Sequence, residues 1–296
     1  MENYAPSKYK ILSQIGEGVH GIVLKAKNKE TNQLVAIKKL ILKNKFGGVQ
    51  LSTLREIMSL KKCDCKYILK LIEIFYDISG PSLVLEYMPY TLHSKLRDHY
   101  NPLCRHDIKK YTHMLLKGLN YLHENNIMHR DIKPSNLLID SHGILKLGDF
   151  GLSRVYFSEL ENRPYTAQVA SRYYRAPEIL YGSQRYSPMV DIWAVGCVFA
   201  EMLRGGTPLF AGSTDIEQLA LVIRSLGTPS LRNWPEIQKL PDYHKISFPY
   251  SKGEPWENMF PTPTMREEIE LVDALIQYNP KKRLTANEAI SHHYFT

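Results

Sequence analysis

The segment His129-Arg130-Asp131-Ile132-Lys133-Pro134-Ser135-Asn136, followed a dozen residues later by Asp149-Phe150-Gly151, constrains this chain more than any other. A carboxylate at 131 can orient a hydroxyl nucleophile, while an amide at 136 and a carboxylate at 149 can hold Mg²⁺ on a triphosphate. That is the layout of a phosphoryl-transfer site. The residues before it read as a nucleotide holder, and those after it as a platform that holds and regulates a protein substrate.

At 296 residues the chain exceeds one simple core, so two lobes or one large domain are expected. Apolar residues make up 44% and charged ones 23%, an ordinary globular balance. The longest apolar run, Ile192 to Ala200, falls far short of the roughly 20 residues that span a bilayer, and no basic-then-apolar leader opens the chain. With four cysteines at 63, 65, 104 and 197, a reducing compartment and no membrane partner are expected. Cys63-x-Cys65 lacks zinc-ligand spacing. The net charge of +8 raises nucleic acid as a partner, but no motif interleaves the lysines with aromatics, so none is expected. Acidic or phosphorylated segments suit such a surface better.

Lys10 to Ile15 leads into Gly16-Glu17-Gly18-Val19-His20-Gly21-Ile22-Val23, and period-2 alternation continues beyond the third glycine. A dinucleotide fingerprint would open a helix there, so strand, glycine turn and strand are expected, with backbone N–H groups close to phosphates. Leu34-Val35-Ala36-Ile37-Lys38 reads as a further strand. Leu54, Ile57 and Leu60 recur at helical spacing around Glu56, after the mobile entry Gly47-Gly48. Tyr67–Tyr76 and Ser82–Tyr87 read as a hairpin about Ser79-Gly80-Pro81. Ile108, Tyr111, Leu115, Leu119 and Leu122 make the core stripe of a helix over about 106–124.

H-R-D-x-x-x-x-N and D-F-G, followed by Ala176-Pro177-Glu178, together resemble the eukaryotic protein kinases. The resemblance implies an α+β, bilobal fold: a small β-rich lobe over 1–88 with one regulatory helix, and a larger, mostly helical lobe over 89–296. It implies Asp131 as catalytic base and Lys133 as the cation facing the γ-phosphoryl group, at the offset typical of serine/threonine enzymes. Lys38 would contact the α/β-phosphates and pair with Glu56 when the helix swings in, with Asn136 and Asp149 on Mg²⁺. ATP would lie among Ile15, Gly16, Glu17, Gly18, Gly21, Val23, Ala36, Lys38, Glu86, Met88 and Leu138. His129 would be structural, and Arg283 would pair with Glu178.

Leu51-Ser52-Thr53-Leu54-Arg55-Glu56 is similar to the cyclin-binding helix of cyclin-dependent kinases, although it departs from Pro-Ser-Thr-Ala-Ile-Arg-Glu. A cyclin or cyclin-like activator is implied, as is an upstream activating kinase acting on Thr166 in Pro164-Tyr165-Thr166-Ala167-Gln168-Val169-Ala170-Ser171. Arg55, Arg130 and Arg154 stand at the positions that would receive that phosphate. Ala170, Ser171 and Arg175 would shape a site for Ser/Thr-Pro substrates, since proline has no N–H to satisfy. Val19-His20 replaces the Thr-Tyr pair through which many relatives are inhibited. Gly-Glu-Gly-x-His-Gly-Ile-Val and Leu-Pro-Asp-Tyr-x-Lys-Ile-Ser-Phe resemble the cell cycle-related branch of the family most closely. That branch implies cytoplasm, nucleus and cilium as locations. The competing reading is a pseudokinase scaffold, whose usual mark is loss of the lysine, base or metal ligands, all present here.

Overall fold

Alternation builds the first half. β1 (Tyr9–Gly18), β2 (Gly21–Asn28), β3 (Leu34–Leu40), β4 (Leu71–Asp77) and β5 (Gly80–Glu86) form one antiparallel sheet in the order β1-β2-β3-β5-β4, and α1 (Leu51–Lys62) connects β3 to β4. The computed structural model describes residues 8–18, 21–40, 51–77, 80–156, 165, 170–261 and 264–296. Successive side chains of a strand face opposite ways. Val35, Ile37 and Val84 therefore join Tyr9 and Ala26 in a small cluster, while Ala36, Leu83 and Leu85 join the main core.

Two departures from the sequence reading have physical causes. β4 begins at Leu71 rather than near Tyr67, because the intervening backbone ties the sheet to the second half: Ile68 bridges Leu147, and Leu69 N donates to Leu147 O at 2.9 Å. On α1, Ile57 and Leu60 are buried as expected, but Leu54 is 42% exposed. The buried face takes Thr53, Glu56 and Ser59 instead. It rests on polar machinery, with Ser59 Oγ 2.8 Å from Ser153 Oγ, so an all-apolar stripe would leave those groups unpaired.

The second half runs β6 (Tyr90–Thr91), α2 (Leu92–Leu96), α3 (Arg105–Glu124), β7 (Ile127–Met128), β8 (Leu137–Ile139), β9 (Leu145–Leu147) and β10 (Arg154–Val155). It continues through α4 (Pro177–Leu180), α5 (Met189–Leu203), α6 (Asp215–Leu226), α7 (Trp256–Met259), α8 (Arg266–Leu275) and α9 (Ala286–Ile290). The predicted α3 stripe is buried along its length. On α5 every residue from Val190 to Met202 is buried, as befits a helix that is apolar nearly all round and stands at the centre of its lobe. Gly196 allows this: a Cβ there would lie 2.6 Å from Ile276 Cγ1, beside α8. The result is the bilobal fold expected, a five-stranded sheet with one helix above a helical body. Among the described residues no helix is long and apolar enough to cross a membrane.

Candidate active site

A cleft of about 660 Å³ opens between sheet and helical body. Ile15, Gly16, Glu17, Gly21, Val23, Ala36, Lys38, Glu86, Met88 and Leu138 all line it. Ser135 of the catalytic loop lines it too, as does Leu69, although nothing in the local sequence of Leu69 marks it. The Glu86 carboxylate is held by Lys146 Nζ, 2.7 Å from each oxygen, and by the Lys70 N–H at 2.7 Å. What Glu86 offers a ligand is therefore its backbone. Gly21 has a reason beyond phosphate approach: at φ 137° a Cβ would sit 1.8 Å from Lys39 O, breaking the pairing of β2 with β3.

Lys38 Nζ lies 2.7 and 2.9 Å from the Glu56 oxygens and 3.5 Å from Asp149 Oδ1. Burial alone would lower the Lys38 ammonium, but the carboxylates of Glu56 and Asp149 outweigh it and raise its pKa above the ordinary value. The regulatory helix is thus swung in, with its ion pair made.

Asp131 gathers four donors. Ser171 N and Oγ each donate to Oδ1 at 3.1 Å, while Asn136 Nδ2 at 2.9 Å and Lys133 Nζ at 2.8 Å reach Oδ2. Lys133 Nζ also donates to Ser171 Oγ at 3.0 Å. Ser171, expected with the substrate, therefore joins the substrate loop to the catalytic loop directly. His129 bonds backbone with both ring nitrogens, Nε2 to Gly148 O at 2.9 Å and Nδ1 to Asp131 N at 3.3 Å, so it shapes the loop.

Sequence reasoning missed Asp191 as the anchor of this loop. It is buried on α5 and accepts from His129 N at 2.9 Å, Arg130 N at 2.7 Å and His123 Nε2 at 3.1 Å. The available signal was a lone carboxylate opening an apolar helix, which needs partners. Burial would raise its carboxyl, but His123, His129 and the Arg130 amide outweigh that and hold it below the ordinary value. Its contribution to stability is then complete above about pH 5 and is lost as pH falls past the unfolded value near 4 and through the depressed folded one. Urea midpoints measured at neutral pH and at about pH 3 should drop further for wild type than for Asp191→Asn. Equal drops would remove the carboxylate from this role.

Left-handed backbone at Arg130 (φ 66°), Asp149 (φ 56°) and Ala170 (φ 65°) marks three segments around the site, each held by its surroundings. Arg130 donates through Nε to Leu152 O and through Nη1 to the Tyr186 hydroxyl, both at 2.8 Å. Burial, then the charges of Arg154 and Arg130, pull the Arg55 guanidinium below its ordinary pKa, so Arg130 and Arg154 lie within electrostatic reach of Arg55. Thr166 lies outside the described residues, as does the Val19-His20 pair. Its neighbour Tyr165 is buried, with the Arg154 guanidinium 5.5 Å from its ring. Arg175 Nη2 donates to Ala170 O at 2.9 Å.

Asn136 donates through Nδ2 to both the carboxylate and the carbonyl of Asp131, which leaves its amide oxygen as the atom available to a cation. One amide oxygen and the Asp149 carboxylate, both on the cleft, suit a hard divalent ion completed by phosphate oxygens and water. Among the described residues no cluster of three or more His, Cys, Asp or Glu could hold a metal by itself, consistent with that sparse donor set.

The protein kinase domain family matches residues 9–295. Cyclin-dependent kinase 20 of Danio rerio is 47% identical over 97% of this chain and 83% of its own length, and that of Homo sapiens is 46% identical over the same shares. Cyclin-dependent kinase 20 is also called cell cycle-related kinase, the branch expected from the sequence. Cyclin-dependent kinase 7 of Dictyostelium discoideum is 42% identical over 98% of this chain and 80% of its own. With its cleft, its buried lysine–glutamate pair and its aspartate held beside the substrate loop, the chain belongs to the protein kinase domain family, as a serine/threonine kinase of the cyclin-dependent group.

Proposed function

We propose that the chain transfers the γ-phosphoryl group of MgATP to serine or threonine hydroxyls followed by proline, and that phosphorylation of Thr166 activates it. The observation that carries the substrate reading is the bond from Arg175 to Ala170 O. With Ala170 left-handed and its carbonyl taken, the residue after the target hydroxyl meets no acceptor for its N–H. Leaving that N–H unpaired costs about 1–3 kcal/mol, and proline has none to leave.

Asp131 orients the substrate hydroxyl and accepts its proton. Lys133, 2.8 Å from Asp131, faces the charge that develops on the transferred group. Lys38, kept in place by Glu56, holds the α/β-phosphates, and Gly18 completes the flap over them. Mg²⁺, held by Asn136 and Asp149, would neutralise the triphosphate oxygens. The two lobes divide after residue 88, between β5 and β6. Arg55, Arg130 and Arg154 repel one another, and a phosphate on Thr166 would relieve this with nearly two negative charges. Leu51, Leu54 and Met58 stand exposed at helical spacing on α1, an apolar face that suits a cyclin or cyclin-like activator. The names of the relatives support such a partner. An upstream kinase for Thr166, cell-cycle and ciliary roles, and residence in cytoplasm and nucleus belong to the same proposal, resting on likeness to the cell cycle-related branch.

Radiolabelled transfer to peptides that differ only in proline or alanine after the serine tests this, using Thr166-phosphorylated chain with and without a cyclin. Preference for the proline peptide should be about tenfold or more, and Thr166→Ala should transfer more slowly. Equal rates on the two peptides would refute the proline reading. No transfer under any condition would favour a scaffold.

A further inference from the structure

We propose that Asp215, in the first turn of α6, is a positioning residue that sets the preference for proline after the target hydroxyl, an inference that rests on the proline-directed reading above. Arg175 uses the two ends of its guanidinium differently. Nη2 donates to Ala170 O at 2.9 Å, while Nη1 donates to Asp215 Oδ1 at 2.7 Å and Oδ2 at 2.8 Å. The guanidinium is a rigid plane, so fixing Nη1 on a carboxylate fixes the direction in which Nη2 points.

The Arg175 side chain is only 12% exposed, and a guanidinium so far removed from water depends on the partners it has. Asp215 is 43% exposed and arrives from another element, forty positions along the chain. The same carboxylate accepts from Arg172 Nε at 2.9 Å, and Arg172 Nη1 donates to Ser213 O at 2.6 Å. One acid thus ties the start of α6 to both arginines of the segment that leads into Ala176-Pro177-Glu178.

Without this carboxylate Nη1 loses the two bonds that set the direction of the Arg175 guanidinium, and the bond from Nη2 to the Ala170 carbonyl is weakened. The left-handed residue then has a route back to ordinary backbone, and its carbonyl becomes available to an N–H at the position after the target. Proline would lose its advantage. The Asp131, Lys133 and Ser171 constellation contains no bond to Asp215, so the chemical step itself need not change.

The test is the ratio of kcat/KM on the proline and alanine peptides for wild type, Asp215→Asn, Asp215→Ala and Asp215→Glu. The ratio should fall about tenfold in the asparagine and alanine variants, the scale of one lost charged hydrogen bond. Asp215→Glu should recover part of it. A purely structural role would lower both peptides equally and leave the ratio unchanged, and that result overturns the inference. Asp215 lies at the surface, and circular dichroism checks folding; should the alanine variant unfold, the near-isosteric asparagine variant carries the test alone. A wild-type ratio near one would overturn the proline reading and this inference with it, whereas a high wild-type ratio kept by both variants overturns only the role of Asp215.

Discussion

Asp131→Asn should lower kcat for peptide phosphorylation by about 10²- to 10⁴-fold while the KM for ATP holds. The amide cannot take up the hydroxyl proton, and only one of its two heads accepts. Of the donors now on the carboxylate, Lys133 and Asn136 share Oδ2 and the two Ser171 groups share Oδ1, so one pair would face an NH₂. The loss belongs to the chemical step because Asp131 is absent from the lining of the nucleotide cleft. Initial rates at varied ATP and peptide measure it. A variant with wild-type kcat would take Asp131 out of the reaction.

Arg283→Ala should lose about 3–5 kcal/mol of unfolding free energy, the usual cost of breaking a buried ion pair from one side. Arg283 and Glu178 meet as two forks, Nη1 to Oε1 and Nη2 to Oε2, each at 2.7 Å. The Arg283 side chain is 0% exposed and that of Glu178 6%. Arg283 also donates through Nε to Gln277 O and through Nη1 to Met189 O, and it lies 5.1 Å from the Trp193 ring. Removing it leaves a buried carboxylate without its partner and takes a donor from the carbonyls of Gln277 and Met189. For a stability of about 5–15 kcal/mol, that is a large fraction. Urea unfolding of Arg283→Ala, Glu178→Ala and the pair Glu178→Leu/Arg283→Met separates the terms. The double variant should lose much less than the two singles summed, because no uncompensated charge remains. A single-variant loss near zero would mean that the pair is decorative.

Short-range patterns carried most of the site. Asp131, Lys133 and Asn136 are fixed relative to one another by a few backbone bonds, so their chemistry is readable in the order of residues. Lys38 and Ala36 could be placed on the same face of β3 because a strand alternates, and the α3 stripe because a helix repeats. Glycine proved less transparent: its presence at 21 was visible, but the requirement comes from Lys39 on the next strand.

Pairings across distant elements obey no such local rule. Asp191 stands 61 positions from the Arg130 amide it accepts from, and Asp215 stands 40 from Arg175. The exposure of Leu54 could not be read from α1, since helical spacing defines faces without saying which one meets the rest of the protein. The sequence by itself determined which candidate groups stand together in the catalytic loop and which segments are strand or helix, because those depend on neighbours along the chain. The tertiary structure decided which carboxylates hold the catalytic and substrate loops and which face of α1 remains open, because burial and hydrogen bonding are settled by neighbours in space.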